Sequence, residues 1–367
     1  MRIGIDIRPL LDQPLTGVGE YTFHLLHALL RQVSPEEHCV LLANSRTRFF
    51  RAPQSWPSQR FTLRQFHIPN KLLNGLLFVT GRPRLERFVG PIDILFVPNA
   101  NFLPRSISVP VVTTAHDLSF LHYPQLFSLR RRLWHGIVRP ERLFERSSAV
   151  IAVSEATRQD VIRSLRIPEE RVTAISSGIA VQQRSFSEQE QVRMRYRLPA
   201  RFLFALGTRE PRKNLVTLLE ALILLKREHG YSGDLVIAGG AGWSRKELDR
   251  TLDTHPYRSA IHVLGFVPQA DKEALYQMAD LFLYVSLYEG FGFPPLEAAV
   301  LGTPVMTGHH SSLSEVMGET AVLVDVQNVR DIAQAAAAVL ADPSFRSRAA
   351  AQRSMLKEQY SWDRAAQ

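Results

Sequence analysis

LFLYVSLYEGFGFPPLE, residues 281–297, decides the reading of the fold. Its opening 281–285 is a short apolar run of strand composition, and the glycine-bearing stretch after it is a loop. Pro294 and Pro295 suit the first turn of a helix, because a proline there gives up an N–H that has no intrahelical partner anyway. Strand, loop and helix in that order make half of a βα unit. Outward from this stretch the rhythm repeats, with apolar runs at 261–264, 235–238 and 202–206 before it and 304–306 after it. The first half of the chain has the same beat: a strand at 2–7, a glycine-bearing loop at 16–19, a helix over 20–32, then runs at 39–43, 92–97, 109–113, 149–153 and 172–175. Such alternation predicts parallel sheets covered by helices on both faces. A polar stretch at 180–199 interrupts it, which divides the chain into two doubly wound, Rossmann-like α/β domains, 1–184 and 185–367. Ligands of such sheets bind outside the carboxyl ends of the strands, so two such edges facing one another define a cleft.

With 367 residues and 45% hydrophobic content, the chain is long enough for two cores. No stretch approaches the roughly 18 consecutive apolar residues of a membrane span, and the opening MRIGIDIRPL lacks the pattern of a secretion signal. Cys39 is the single cysteine and lies in an apolar run, which excludes a disulfide framework or a thiolate zinc site and fits a core residue of a cytoplasmic protein. The net charge of +9 is uneven: residues 1–184 carry 24 Lys and Arg against 14 Asp and Glu, whereas 185–367 carry 20 against 21. In the densest basic run, 130–146, Leu133, Trp134, Ile137, Val138, Leu143 and Phe144 alternate with arginines. A segment of this kind can rest on an anionic membrane surface; a solvated helix face packed on its own domain is the other reading.

Three segments carry chemistry. Glu289 lies in the loop after the 281–285 strand and Glu297 is expected within the first helical turn, both facing the strand ends. Carboxylates there accept hydrogen bonds from ribose or sugar hydroxyls, and a helix N-terminus attracts phosphate. The second segment, GTREPRKN at 207–214, crowds Arg209, Arg212 and Lys213 into one loop after the 202–206 strand, where Arg supplies a fork and Lys a compact charge for a pyrophosphate. The third, TTAHD at 113–117, ends a strand of the first domain and aims His116 at the cleft. Gly17 and Gly19 allow close backbone approach to a phosphate or sugar.

EGFGFPPLE, GTREPRKN, TAHD, TGVGEY and VSEATRQDV occur in an arrangement that resembles the family 4 retaining glycosyltransferases of the GT-B fold, over nearly the entire chain. The resemblance implies two Rossmann-like domains facing across a donor cleft. Glu297 would hold the nucleotide ribose, and Glu289 the hydroxyls of the donor sugar. Gly290, Phe291 and Gly292 would present backbone N–H groups to that sugar or its phosphate. Arg212 and Lys213 would stabilise the departing nucleoside diphosphate, and His116 would position the sugar. Gly17 and Gly19 match a glycine loop near the phosphates or the acceptor, and Gly265, Phe266 and Val267 a loop framing the base. Many relatives carry the arginine several residues ahead of the lysine, so Arg209 shares the claim with Arg212. The final helix, about 344–367, begins the family's return to the first domain and stops early.

The reaction implied is transfer of a hexose with retained configuration, without cofactor or metal, since no D-x-D pair is present to hold a divalent ion. Resemblance to mannosyltransferases of bacterial surface-polysaccharide assembly makes GDP-mannose the expected donor and a lipid-linked glycan the expected acceptor. UDP- or dTDP-sugars remain the alternative donors. The implied location is cytoplasmic, peripheral to the inner face of the membrane. A nicotinamide oxidoreductase is disfavoured, because Thr22 replaces the third glycine and Asn44 the acid after the second strand. A non-catalytic sugar-nucleotide or glycan-binding protein is argued against by the intact set Glu289, Glu297, Arg212, Lys213 and His116. Nucleic-acid binding has no recognisable motif to support it.

Overall fold

The computed structural model describes residues 1–12, 14–80, 90–101, 108–243 and 246–367. Among these, seven strands form a first sheet: β1 (Arg2–Asp6), β2 (His38–Asn44), β3 (Phe61–Phe66), β4 (Ile94–Val97), β5 (Val111–Ala115), β6 (Ala149–Ala152) and β7 (Val172–Ala174). Six more form a second: β8 (Phe202–Leu206), β9 (Asp234–Ala238), β10 (Ile261–Gly265), β11 (Leu281–Tyr284), β12 (Val305–Gly308) and β13 (Val322–Val324). The orders are β3-β2-β1-β4-β5-β6-β7 and β10-β9-β8-β11-β12-β13, and the pairings are parallel. In each sheet the chain starts in the middle, winds to one edge and returns past its starting strand. Connections on either side of the start therefore leave toward opposite faces, and a crevice opens at the strand ends between β1 and β4 and between β8 and β11. The chain is thus two doubly wound, Rossmann-like α/β units.

The first unit comprises Met1–Phe120, Leu129–Gly178 and Tyr360–Gln367; the second comprises Leu121–Ser128 and Ile179–Gln359. The change of unit falls at Gly178 and Ile179 rather than at 184 and 185, because Arg184 is already fastened to the second unit: its Nε and Nη2 reach Glu273 Oε2 at 2.7 and 2.5 Å. The polar stretch 180–199 that interrupts the rhythm is itself partly helical. Helix Phe186–Tyr196 lies within it, started by a reciprocal capping box between Ser185 and Glu188. The tail is likewise broken up into the helices Phe345–Ala351, Arg353–Gln359 and Trp362–Ala365, and only the last belongs to the first unit.

Cys39 on β2 is fully buried, and burial pushes its thiol up to about 11, as suits a core side chain. Two strands are not among the expected runs: β3 (FTLRQF), which is partly polar, and β13 (VLV), which is only three residues long. Both are sheet edges. An edge strand is covered less completely, so β3 can alternate polar residues. A second departure concerns the glycine loop at 16–19. The helix starts at Gly17, since the Thr16 side chain accepts a hydrogen bond from Gly19 N at 3.3 Å; the glycines form the first turn, not a loop before it.

The ends of β8 and β9 nearly touch. Gly239 has φ +133°, and a Cβ there would stand 1.9 Å from the Gly207 carbonyl oxygen. We predict that Gly239→Ala lowers the thermal midpoint of unfolding by about 4 °C or more, from the cost of the positive φ alone. Gly17→Ala, whose Cβ would meet nothing within 4 Å, should leave the midpoint within about 1 °C in the same scan.

Candidate active site

The loops that follow β8 and β11 flank the crevice of the second sheet, and their side chains interlock. Arg212 and Lys213 lie in a short 3-10 turn, Pro211–Lys213, closed by Asn214 at φ 54°. Arg212 Nη1 donates to Glu289 Oε2 at 2.7 Å and to the Tyr288 carbonyl at 2.9 Å, while its Nε donates to Glu210 at 3.0 Å. Lys213 Nζ donates to Glu289 Oε1 at 2.5 Å and to the Tyr284 hydroxyl at 2.6 Å. That hydroxyl in turn donates to Glu289 Oε1 at 2.9 Å. Burial alone would raise the Glu289 carboxyl, but Arg212 and Lys213 overcome it and hold the group at about 2. Burial also pushes the Lys213 ammonium below its ordinary value, against the pull of Glu289.

Gly292 ends the β11 loop at φ +95°, where a Cβ would lie 2.7 Å from Leu313 Cδ2. It caps helix Phe293–Val300, with Pro294 and Pro295 in the first turn. Glu297 is the fifth residue of that helix and so sits in its second turn, not its first. Its carboxylate points toward helix Gln269–Met278: Lys272 Nζ donates to Oε1 at 2.8 Å, and Tyr276 OH to Oε2 at 2.9 Å. Gly265, at φ +75°, ends β10 and leads into that same helix. Beside it Phe266 is exposed and Val267 buried. Gly290 and Phe291 are buried within the β11 loop. Arg209 pairs through its backbone with Ala241, and its Nε is buried with no hydrogen-bond partner among the described residues. It is therefore Arg212, not Arg209, that joins Glu289.

His116 belongs to the first unit, immediately after β5, as do Gly17 and Gly19. Its Nε2 lies 2.7 Å from the Pro98 carbonyl oxygen, and its ring meets Tyr21 edge-on with centroids 4.7 Å apart. Burial lowers its pKa from the ordinary histidine value, outweighing the Pro98 hydrogen bond and the charge of Asp117. Sequence reasoning had not singled out Glu210, Lys272, Tyr276, Tyr284 or Tyr21. Lys272 and Tyr276 did leave a trace, an i, i+4 pair on one helix face directly after the 265–268 loop.

Two doubly wound units, with cations and a carboxylate interlocked at the switch point of one of them, put charged and hydroxyl side chains where sheets of this kind bind their ligands. Comparison with known proteins then fixes the family. Residues 15–183 match the model described as Glycosyltransferase Family 4, and residues 188–354 that of Glycosyl transferases group 1. The O-antigen chain mannosyltransferase B of Escherichia coli is 32% identical over 363 residues, 96% of this chain and 94% of that protein. The chain belongs to this glycosyltransferase family and is an enzyme of the family 4 type. Among solved structures, sucrose-phosphate synthase from Thermosynechococcus elongatus superposes with a TM-score of 0.76 at 19% identity, over 100% of this chain and 96% of that one. Anabaena HepE in complex with UDP-glucose gives 0.72 at 16% identity, over 100% and 97%. Both share the fold.

The depressed Glu289 pKa has a pH consequence. A carboxyl lower in the folded state than its unfolded value near 4.3 adds stability above that value and loses it as pH falls toward about 2. Glu289→Gln, which removes the carboxylate shared by Arg212 and Lys213 and leaves Arg212 with Glu210 as an acidic partner, should destabilise the protein by about 3 kcal/mol at pH 7. We expect the difference from the wild type, measured by denaturant unfolding, to shrink between pH 5 and the folded-state pKa of about 2. A difference independent of pH would contradict an ionised Glu289.

Proposed function

We propose that this protein transfers mannose from GDP-mannose to a lipid-linked glycan in surface-polysaccharide assembly, with retention of configuration and without a metal. The observation that carries the reading is the Arg212–Glu289–Lys213 cluster on the two loops beside the switch point. As the donor C–O bond breaks, negative charge gathers on the nucleoside diphosphate, and fixed cations in a buried setting favour that state over the intact donor. Glu289 receives hydroxyls of the sugar, Glu297 those of the ribose, and the leaving phosphate oxygen takes the proton of the acceptor hydroxyl. The choice of mannose is supported by the Escherichia coli O-antigen mannosyltransferase that resembles this chain throughout.

A thermal-shift panel of nucleotides and sugar nucleotides tests the donor. At 100 times its Kd a ligand stabilises the fold by about 2.7 kcal/mol, so GDP and GDP-mannose should raise the midpoint and Glu297→Ala should abolish the rise. A response confined to UDP- or dTDP-sugars would overturn the mannose assignment. Lys213→Ala should cut kcat on the order of a hundredfold with a smaller change in donor affinity. Activity that survives EDTA, and an α-linked product detected by proton NMR, complete the reading; activity restored only by magnesium would refute the metal-free step.

The basic run supports an acceptor at a membrane surface. It forms two helices, Leu129–Val138 and Pro140–Arg146, broken at Arg139 with φ 51°. No residue of Leu129–Val138 is buried; Leu129 is 80% and Leu133 66% exposed, with Trp134 and Ile137 also exposed. Leu129, Leu133 and Ile137 lie on one face at i, i+4 and i+8, and the helix carries Arg130, Arg131 and Arg132 but no acid. His135 does touch the unit, stacked on Phe120 at 5.0 Å. No helix among the described residues is long and apolar enough to cross a membrane, so contact would be with the bilayer surface. Reversing the three arginines to glutamate should lower partitioning onto phosphatidylglycerol vesicles on the order of a hundredfold or more. Unchanged sedimentation with those vesicles would remove the membrane from the proposal.

A further inference from the structure

The C-terminal segment Tyr360–Gln367 belongs to the first unit although the helices just before it belong to the second. Its attachment is specific. Gln32 Nε2 donates to the Asp363 carbonyl at 2.8 Å, and a Cβ at Gly178 would lie 2.3 Å from Trp362 N. The Trp362 ring stacks on His24 at 5.7 Å and 20°, and meets Tyr21 at 5.7 Å and 67°. Tyr21 is buried; its hydroxyl lies 3.3 Å from Thr114 Oγ1 on β5, and its ring stands perpendicular to the His116 imidazole at 4.7 Å. Successive ring contacts thus join Trp362 to Tyr21 and Tyr21 to His116.

His116 is held in one sense only. The Pro98 carbonyl can only accept a hydrogen bond, so Nε2 carries the proton. In the neutral ring, which burial favours, Nδ1 is then the acceptor, suited to a hydroxyl and not to a phosphate oxygen. A single hydrogen bond still leaves the ring free to swing about the Nε2–oxygen direction. The perpendicular Tyr21 ring blocks that swing, because edge-to-face contact has a preferred geometry. Tyr21 is itself fixed by Thr114 on one side and by Trp362 on another.

We propose that Tyr21 and Trp362 are positioning residues for His116: the tyrosine ring, backed by the tryptophan from the C-terminal segment, fixes the plane in which Nδ1 meets a substrate hydroxyl. The assignment rests on the reading that His116 serves the transfer reaction. A double-mutant cycle on the full chain tests it, with GDP-mannose or whichever donor the panel identifies. Tyr21→Leu and Trp362→Leu should each lower kcat on the order of tenfold with little change in donor KM. Tyr21→Phe, which keeps the ring, should restore kcat to within about threefold of wild type. In the His116→Ala background neither leucine substitution should lower kcat further, since they act through the missing ring.

Nitrogen-15 NMR of the histidine side chains supplies a readout independent of turnover. The His116 signals should show the Nε2–H tautomer in the wild type and in Tyr21→Phe, and shift or broaden in Tyr21→Leu and Trp362→Leu. If His116→Ala has full activity, the reading of His116 fails. If His116→Ala is inactive while the leucine variants keep both wild-type kcat and wild-type His116 signals, or if their effects add to that of His116→Ala, the positioning proposal fails. Should Tyr21→Leu not fold, Trp362→Leu, at a partly exposed site, decides alone.

Discussion

A carboxylate held between two cations, with little water around any of them, constrains the second unit. Glu289, Arg212 and Lys213 are each largely buried, and a buried charge without a partner costs several kcal/mol. None of the three could occupy its position alone. They meet because β8 and β11 are neighbours, in register at Leu281 and Leu203, so the loops that follow leave the sheet side by side. The backbone reinforces the match: Leu287 N donates to the Arg212 carbonyl at 2.8 Å, and Arg212 answers by donating to the Tyr288 carbonyl at 2.9 Å. Once those loops are tied, Gly292 must turn sharply, and the helix carrying Glu297 starts in a fixed direction. The second carboxylate is placed by the same constraint that pairs the first.

How much of this was legible follows from what each feature depends on. Strands covered on both faces appear as apolar runs whatever their neighbours, which is why LFLYV and FLFAL could be read directly, and why the run at 109–113 marked β5 only two residues early. FTLRQF is too polar and VLV too short to be read this way, although β7 and β10, which are edge strands too, were legible. The acidic and basic segments were visible because charges cluster in short windows next to predicted strands. Their pairing was not: that Arg212 rather than Arg209 reaches Glu289 depends on how the Pro211–Lys213 turn rotates, which Asn214 sets by its left-handed backbone. Glu297 was placed one turn too early, because Gly292 and not a residue further on starts the helix. Lys272, Tyr276 and Tyr21 act across tertiary contacts between elements distant in sequence. The unit boundary moved to 178 for a similar reason, since Arg184 is tied to Glu273, 89 residues away, as well as to its near neighbour Glu188.

The resting arrangement also bears on how such a site can turn over. Glu210 and Glu289 together offset the charges of Arg212 and Lys213, so the cluster is close to neutral before any ligand arrives. That neutrality lets two cations wait in a buried place at tolerable cost, already oriented by carboxylate, hydroxyl and carbonyl partners. On the proposed reading, a diphosphate entering beside them shares those cations with Glu289 and does not need to gather them from water. The carboxylate then gains acceptor capacity for the hydroxyls of the sugar attached to that diphosphate. A glutamate that holds the cations in place while the donor is absent, and turns to the sugar when the phosphates take its role, makes binding and recognition parts of one exchange. Lys213 fits such a part better than an arginine would, because its ammonium can rotate between Glu289, the Tyr284 hydroxyl and an incoming oxygen without losing a fixed planar fork.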